Sequence, residues 1–407
     1  MIRGKSKMID RLSKEKCTGC MMCADLCPTG AIRFLDDEEG FWFPQVDKDK
    51  CRNCGLCLKK CPSYSEPPNG NEGFSPVCYG AWSKDVVIRE ESTSGGFFSE
   101  LAAKWVAEYG LCGGAVYDEK FRVKHELCSD SEDIAALRQS KYVQSNTAGI
   151  FAKIQTVLHQ QRKVLFVGTP CQVTALKSFL GKEYTDLVTI DFICCGISSP
   201  LVYRKYLEML EKRYKSKVNK IWFKNKRNGW RSIGTYVQFE NGKQYYRNGN
   251  RDLYMIAFVD DGLDMRQSCH CCRYRKVPHC SDIMLGDFWG IEYIHPELDD
   301  NKGISAVIIN STKGLKLFDK VKDRLYYFES TLQEIAVGNF TVYKPKEAHQ
   351  KRHAFLEDLQ NLSLDKAMEK YSSYSGLTRL KTDLFYYHQQ VMKKIKVTFK
   401  FVVIGRK

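Results

Sequence analysis

The chain has 407 residues, 18 of them cysteines, and a net charge of +15. A hydrophobic share of 43% and a charged share of 27% are ordinary for a globular protein, and the length allows two or three domains. There is no run of about 18 apolar residues, and no apolar segment follows the basic start, which argues against a membrane-spanning helix and a secretory signal. We therefore expect a cytoplasmic protein, in which clustered thiols indicate metal or redox chemistry rather than disulfides.

Two short cysteine runs open the chain, CTGCMMCADLCP from residue 17 and CRNCGLCLKKCP from residue 51. Both have the spacing C-x2-C-x2-C-x3-C-P, the ligand pattern of bacterial two-cluster ferredoxins, in which the fourth cysteine of each run binds the other cluster. The spacing therefore predicts two [4Fe-4S] clusters with crossed ligands. One set is Cys17, Cys20, Cys23 and Cys61, and the other is Cys51, Cys54, Cys57 and Cys27.

Zinc is the competing interpretation of these runs. Zinc sites use one or two C-x2-C pairs with a long spacer, rather than three cysteines at successive two-residue gaps in two copies. We therefore predict an α+β ferredoxin-like domain with two [4Fe-4S] clusters over residues 1–66. A linker rich in Pro, Gly and Asn follows over residues 67–76.

Apolar strands and helices alternate after the linker. Strands are predicted at VCYGAW, CGGAVYD, FRVKHEL, VLFV and LVTIDFI, and helices at FFSELAAKWVAEY (ending at Gly110), AGIFAKIQTVLHQQR and VTALKSFL. This alternation indicates βαβ units, so we expect an α/β flavin-binding domain with a largely parallel sheet. Its first part would span residues 77–213.

The pattern changes after residue 213. TYVQFENGKQYY carries Asn241-Gly242 between two alternating runs, which predicts a hairpin, and GISAVIINSTKGLKLFDKV predicts a strand followed by a helix. We assign residues 214–350 to a mixed α/β C-terminal part of the same region and residues 351–407 to a basic helical tail. Neither a strand–GxGxxG–helix unit nor GxxxxGK[ST] occurs, so a nicotinamide-binding Rossmann domain and a P-loop are not indicated.

Positive charge is concentrated at the end of the sequence, where residues 381–407 contain seven Lys or Arg and one Asp. A basic surface suits an acidic electron carrier such as ferredoxin or flavodoxin, an anionic lipid surface or nucleic acid. Apolar residues alternate with the lysines, which favours peripheral membrane contact through the tail, although a solvated basic helix explains the pattern equally well. No nucleic-acid motif is present, and we expect no nucleic-acid partner.

Four further cysteines are predicted to meet at one edge of the sheet. Cys171 follows the strand VLFV, and Cys194 follows TIDFI. Because ligands bind outside the carboxyl ends of parallel strands, these two should lie close together. With Cys269 and Cys272 they would form a four-thiolate site, for which we predict a third [4Fe-4S] cluster, with zinc as the alternative.

Other cysteines near these four leave the ligand set open: Cys195, Cys271 and Cys280. A separate group is predicted to be buried as small hydrophobic residues: Cys78, Cys112 and Cys128.

The segment STSGG, residues 92–96, precedes a predicted helix and is a candidate anion site. Ser92, Thr93 and Ser94 can cap the helix, while Gly95 and Gly96 let the backbone approach a phosphate at the helix N-terminus. The alternative is a capped helix without a ligand.

Together these stretches resemble the coenzyme F420 hydrogenase/dehydrogenase beta-subunit family. The resemblance runs from about residue 77 to at least residue 310 and rests on STSGGFFSELA, SKYVQS, VLFVGTPCQVTAL, IDFICCGISSP and SDIMLGDFWGI. Cys194 keeps the family's cysteine, while Cys195 stands where many members have histidine. The resemblance implies FAD beside an iron–sulfur cluster, with contacts from six residues: Ser94, Gly95, Gly96, Lys141, Tyr142 and Thr169.

We therefore expect an iron–sulfur flavoprotein oxidoreductase that passes electrons between its ferredoxin clusters and FAD. The acceptor is left open by the resemblance. It is F420 in some members, and bacterial members often lie among genes for cell-surface polysaccharide synthesis. The alternative is a connector without a substrate of its own, a beta subunit that hands electrons to a partner redox subunit. A basic metal-stabilised nucleic-acid binder ranks below both.

Overall fold

The computed structural model describes residues 8–66, 71 and 73–374, together with residues 380, 381 and 384. Part of the predicted linker and nearly all of the predicted basic segment 381–407 lie outside these residues. Within the described part of the chain, no helix is both long and apolar enough to cross a bilayer.

The strands are β1 (Ile32–Asp36), β2 (Trp42–Val46), β3 (Val77–Ser83), β4 (Cys112–Tyr117), β5 (Val123–Cys128), β6 (Val164–Val167), β7 (Leu187–Phe192), β8 (Val218–Asn225), β9 (Gly234–Phe239), β10 (Gln244–Asn248), β11 (Ile283–Asp287), β12 (Ser305–Ile309) and β13 (Leu325–Ser330). The predicted strands between residues 77 and 192 are all present, and so is the hairpin β9–β10 around Asn241-Gly242.

The helices are α1 (Met22–Leu26), α2 (Leu56–Lys59), α3 (Val86–Glu91), α4 (Phe97–Tyr109), α5 (Ser131–Leu137), α6 (Ile150–His159), α7 (Pro170–Leu180), α8 (Pro200–Tyr214), α9 (Leu253–Met255), α10 (Gln267–His270), α11 (Ile291–Ile294), α12 (Thr312–Val321), α13 (Leu332–Val337), α14 (Arg352–Asp358) and α15 (Leu364–Tyr371). A π-helical segment, Ile256–Asp261, continues α9. Helix α4 ends at Gly110 as predicted, because that residue adopts φ +85°.

The two cysteine runs fold as structural repeats. Gly19 and Asn53, which occupy equivalent positions in the runs, both have left-handed φ angles, of 69° and 51°. Two residues further on, Met21 and Gly55 are also left-handed, at 59° and 69°, and each immediately precedes a short helix, α1 or α2. Strands β1 and β2 pair antiparallel between the runs. The repeated spacing thus produces a repeated loop ahead of each short helix.

The main sheet is mixed rather than largely parallel, which corrects the prediction. Its strand order is β13-β3-β12-β11-β7-β6-β4-β5. Parallel pairing joins β4, β6, β7 and β11 in the centre, whereas β12, β3 and β13 at one side and β5 at the other pair antiparallel. The buried apolar runs that indicated parallel strands occur in both kinds: all five residues of β12 are buried. Burial of a strand on both faces therefore does not indicate whether the strand runs parallel or antiparallel to its neighbours.

The N-terminal ferredoxin-like part is packed into the α/β part through buried polar contacts. Arg352 forms a two-pronged ion pair with Glu39, with nitrogen–oxygen distances of 2.9 and 2.6 Å, and both side chains are buried. The fully buried Arg266 donates from Nε to the carbonyl of Cys17 at 2.9 Å. Asp25 accepts the backbone N–H of Gly149, just before α6, at 2.6 Å. The first cysteine run is therefore held rigidly against the sheet-bearing part.

Replacing Arg352 by leucine is expected to lower the free energy of unfolding by about 3–5 kcal/mol, because Glu39 is left as a buried charge without its partner. Urea unfolding of the metal-loaded chain, followed by circular dichroism, measures the change. The matched control is Lys322→Ala, which breaks the exposed pair with Asp319 and should leave the free energy of unfolding nearly unchanged. Equal effects of the two substitutions would contradict the structural role of the buried pair.

Candidate functional site

The first candidate metal site, here called the outer site, lies at the surface of the N-terminal part. A cavity of about 200 Å³ is lined by four cysteines: Cys27, Cys51, Cys54 and Cys57. Burial raises the pKa of the Cys27 thiol, but hydrogen bonds from Thr29 and the backbone outweigh it and hold the pKa below its usual value. Cys54 is exposed, so this site is the one closest to solvent.

The second candidate site, the inner site, gathers the other four cysteines of the two runs: Cys17, Cys20, Cys23 and Cys61. Burial, reinforced by the neighbouring charge of Cys61, raises the pKa of Cys20 to about 12. Burial and the charges of Cys20, Cys17 and Cys61 raise the pKa of Cys23 well above its usual value. The fourth cysteine of the second run thus lies with the first run, and Cys27 lies with the second run.

A third cavity, the third site, lies at the carboxyl ends of β6 and β7. Its lining includes all four of the cysteines predicted to meet there: Cys171, Cys194, Cys269 and Cys272. Cys171 lies in the first turn of α7, and Cys194 follows β7 by two residues. Cys269 belongs to the short helix α10. Parallel pairing of β6 with β7 brings the segments that carry Cys171 and Cys194 side by side, because the carboxyl ends of adjacent parallel strands lie at the same edge of the sheet.

The thiols of the third site are costly to ionise without a bound cation. Burial raises the pKa of Cys171 and of Cys269 to about 12, and burial with the charge of Cys195 raises the pKa of Cys194 well above its usual value. A coordinated metal deprotonates such thiols outright, because its positive charge replaces the lost solvation. The donor set therefore fits a thiolate-bound metal centre.

The cavity at the third site is smaller than the cavity at the outer site. The cavity measures about 30 Å³, against about 200 Å³ for the outer one. A four-iron cluster would require the surrounding side chains to shift outward. Across the described residues, no group of three or more His, Cys, Asp or Glu side chains is arranged to hold a single metal ion.

The remaining cysteines have other surroundings. The Cys280 thiol lies 3.2 Å from Thr174 Oγ1, Cys271 is exposed and donates to the carbonyl of Glu15 at 3.1 Å, and Cys195 is not part of the lining of the third cavity. Three others are buried in the core, as predicted: Cys78, Cys112 and Cys128. The structure thus separates the competing cysteines from the four at the third site.

The inner and third sites are neighbours. Tyr274 lines the third cavity, and its hydroxyl is 2.8 Å from Ser63 Oγ, two residues beyond Cys61. Burial raises the pKa of Tyr274, and the charges of Cys171, Cys20 and Cys61 act in the same direction. Thr18, from the first cysteine run, also lines the third cavity. Sequence reasoning missed Tyr274, although its position two residues after Cys272 was the available signal.

The segment STSGG is packed against the chain's own sheet. Ser94 Oγ donates to the carbonyl of Ile304 at 2.6 Å, and the Gly95 N–H donates to Ser305 Oγ at 3.1 Å. A Cβ on Gly95 would lie 2.3 Å from the carbonyl oxygen of Ala81, so glycine is required by close approach to β3.

The predicted capping of α4 by Ser92, Thr93 and Ser94 is wrong. Helix α4 begins after Gly96, which has φ +93°, and has no side-chain cap. The three hydroxyls have other partners: Ser92 bonds to the carbonyl of Ile88, and Thr93 accepts the N–H of Ser140. The preceding helix α3 and distant segments therefore bind the hydroxyls that the local sequence offered to α4.

The other predicted flavin contacts lie along the carboxyl edge of the sheet. Thr169 caps α7 and its Oγ1 is 3.1 Å from the Cys171 thiol, so it belongs to the third site. Burial lowers the pKa of Lys141 to about 7, and its Nζ donates to the carbonyl of Arg138 at 2.8 Å. The ring of Tyr142 has Lys224 Nζ 5.3 Å from its centre.

Sequence reasoning missed a buried ion pair next to Tyr142. Lys224 Nζ lies 2.7 Å from Asp287 Oδ2, and both side chains are largely buried. Lys224 adopts φ +55° within an irregular stretch of β8, which directs its side chain away from the regular strand pattern. The charge of Lys224 also acts on the thiol of Cys195, so this pair lies beside the third site.

Comparisons with known proteins identify two regions of the chain. Residues 161–334 match the family model that describes the C terminus of the beta subunit in coenzyme F420 hydrogenase/dehydrogenase. Residues 16–64 match the model of a 4Fe-4S dicluster domain. Among solved structures, a chain of the F420-reducing [NiFe] hydrogenase complex from Methanosarcina barkeri is 18% identical, with a TM-score of 0.44 over 74% of this chain and 94% of that one. No curated protein matches the sequence.

Proposed function

We propose that the chain is an iron–sulfur flavoprotein oxidoreductase, because residues 161–334 match the model for the C terminus of the beta subunit of coenzyme F420 hydrogenase/dehydrogenase and residues 16–64 match a 4Fe-4S dicluster domain. Iron–sulfur electron transfer and relationship to an oxidoreductase family follow directly from these matches. The proposal adds a third [4Fe-4S] cluster, FAD and the assignment of ligands to each centre.

One observation carries the proposal: each cysteine set neighbours the next, from the exposed outer site through the inner site to the third site in the α/β part. The outer site includes the exposed Cys54, and the inner site is buried behind it. The third site follows, since Cys171 and Cys20 lie close enough for their charges to interact, with Tyr274 beside both. Neighbouring sites in this order are what a relay between a surface partner and an internal acceptor needs.

Bound [4Fe-4S] clusters supply one-electron transfer, and a flavin converts between one- and two-electron chemistry. The chain's own residues fix where these groups would be held. Cys61 and Cys27 would be the crossing ligands of the inner and outer sites, respectively. Arg266, bonded to the carbonyl of Cys17, holds the first run in place, and the buried ion pair of Glu39 with Arg352 closes the interface between the two parts of the chain.

For FAD we propose a location at the carboxyl edge of the sheet, beside the third site. The residues predicted from the family resemblance border this edge at two places, Thr169 next to Cys171 and Tyr142 next to Lys224. The ion pair of Lys224 with Asp287 supplies a buried hydrogen-bonding pair between them. Gly95 and Gly96 contribute through the start of α4, which has no side-chain cap and whose N–H groups favour negative charge.

The outer site is the proposed point of electron exchange with a partner. A partner redox subunit fits membership of a beta-subunit family, and the overall charge of +15 favours an acidic carrier such as ferredoxin or flavodoxin. The connector alternative keeps the same three centres and has no substrate of its own. The two are distinguished by whether the isolated chain turns over an acceptor other than a dye.

We expect the full chain, reconstituted without oxygen, to contain about twelve iron atoms and twelve sulfides, since each of three clusters holds four. It should also retain about one FAD per chain after desalting. Metal analysis, sulfide analysis and flavin fluorescence after acid release measure these values. Eight iron atoms with flavin present would remove the third cluster from the proposal, and a chain loaded with iron that retains no flavin would remove FAD.

A further inference from the structure

A buried histidine borders the third site without belonging to the cysteine set. His279 lies in the loop between α10 and β11, is 5% exposed, and lines the same cavity as the four cysteines. Its Nδ1 is 2.9 Å from Asp191 Oδ2. Its other ring nitrogen, Nε2, is buried and has no hydrogen-bond partner among the residues that the structure describes. A buried polar atom beside a ligand cavity requires a partner.

Asp191 and His279 form an enclosed pair of polar side chains. Asp191 is fully buried near the carboxyl end of β7, and its second oxygen, Oδ1, also has no partner within the described chain. A carboxylate beside a singly protonated ring would be a net buried charge, which is costly. One proton shared between Asp191 and Nδ1, together with a second on Nε2, makes the pair neutral. In that form Nε2 is a hydrogen-bond donor.

We propose that His279, positioned by Asp191, donates a hydrogen bond from Nε2–H to a sulfur of the metal centre at the third site and thereby raises its reduction potential. This inference rests on the proposed third cluster. Four thiolates already supply the four ligands that a [4Fe-4S] cluster needs, which leaves a sulfur rather than an open iron position as the partner for Nε2. Adding an electron increases the negative charge on the sulfurs, and a hydrogen bond then stabilises the reduced form more than the oxidised form.

The test is an anaerobic redox titration of the full metal-loaded chain, followed by EPR, with iron counted in every sample. His279→Leu should keep the iron content of the parent and shift the potential of the third cluster to more negative values. His279→Gln, which keeps an N–H donor, should recover part of that shift. The matched control is His125→Leu, another buried histidine that is not in the lining of the third cavity, and it should leave the potential unchanged.

Three results would overturn the inference. The first is an unchanged potential in a His279→Leu variant that retains its third cluster. The second is a loss of third-site iron in both His279→Leu and His279→Gln with a full count in His125→Leu. The third is strong nitrogen coupling in pulsed EPR of the parent. Either of the last two results would make His279 a ligand of the metal centre. Absence of a third cluster in the parent chain would instead defeat the proposed function, and the iron count distinguishes that case.

Discussion

Replacing Cys171 by serine in the full chain is expected to lower its iron content from about twelve to about eight atoms, while the two ferredoxin-type clusters remain. Cys171 lines the third cavity together with Cys194, Cys269 and Cys272, and it contributes from the first turn of α7, which is a rigid element. Without this thiolate, the site retains only three of its four cysteine donors. Iron and sulfide analysis with low-temperature EPR separates loss of one cluster from general damage.

The matched control for this experiment is Cys280→Ser. Cys280 is buried and lies 3.2 Å from Thr174 Oγ1, so serine can keep that contact, and iron content should not change. An equal loss of iron in both variants would indicate damage to the fold rather than removal of a ligand. Zinc in the parent chain, lost on Cys171→Ser with eight iron atoms retained, would replace the third cluster by the single-metal alternative.

The sequence predicted the third site because each of its segments carries a local signal. Cys171 and Cys194 each follow a buried apolar strand, and adjacent parallel strands bring such positions together. What the spacing could not decide was which cysteine of the segment 269–280 faces the cavity. That depends on the path of the loop between α10 and β11, which places His279 in the cavity wall and directs Cys280 to Thr174. His279 and Tyr274 escaped prediction for the same reason.

The errors in the sequence interpretation have several physical causes, and the first is competition from other hydrogen-bond partners. Ser92, Thr93 and Ser94 have the residue types of helix caps, yet their hydroxyls bond to Ile88, Ser140 and Ile304. The sheet was predicted to be largely parallel because a strand buried on both faces has the same apolar composition whether it runs parallel or antiparallel to its neighbours. Lys224 was overlooked because an irregularity in β8, invisible in the apolar pattern, turns its side chain towards Asp287.

The largest effect on the N-terminal centres is expected from the two crossing cysteines, which should disable opposite sites. Cys61→Ala should remove the inner cluster, because Cys61 lies with Cys17, Cys20 and Cys23. Cys27→Ala should remove the outer cluster, because Cys27 lines the cavity of Cys51, Cys54 and Cys57. Each variant should lose about four iron atoms. Iron counts alone cannot tell the two apart, so the surviving cluster must be located.

The surviving cluster can be located by its exposure to solvent. The outer site includes the exposed Cys54, whereas Cys17, Cys23 and Cys61 at the inner site are buried. A paramagnetic relaxation agent in water should therefore quicken the EPR relaxation of the ferredoxin-type cluster that survives in Cys61→Ala, and leave the one in Cys27→Ala nearly unaffected. Cys54→Ala is the matched control and should behave as Cys27→Ala does. If Cys61→Ala instead behaved like Cys54→Ala, each run would bind its own cluster, and the crossed ligation would be wrong.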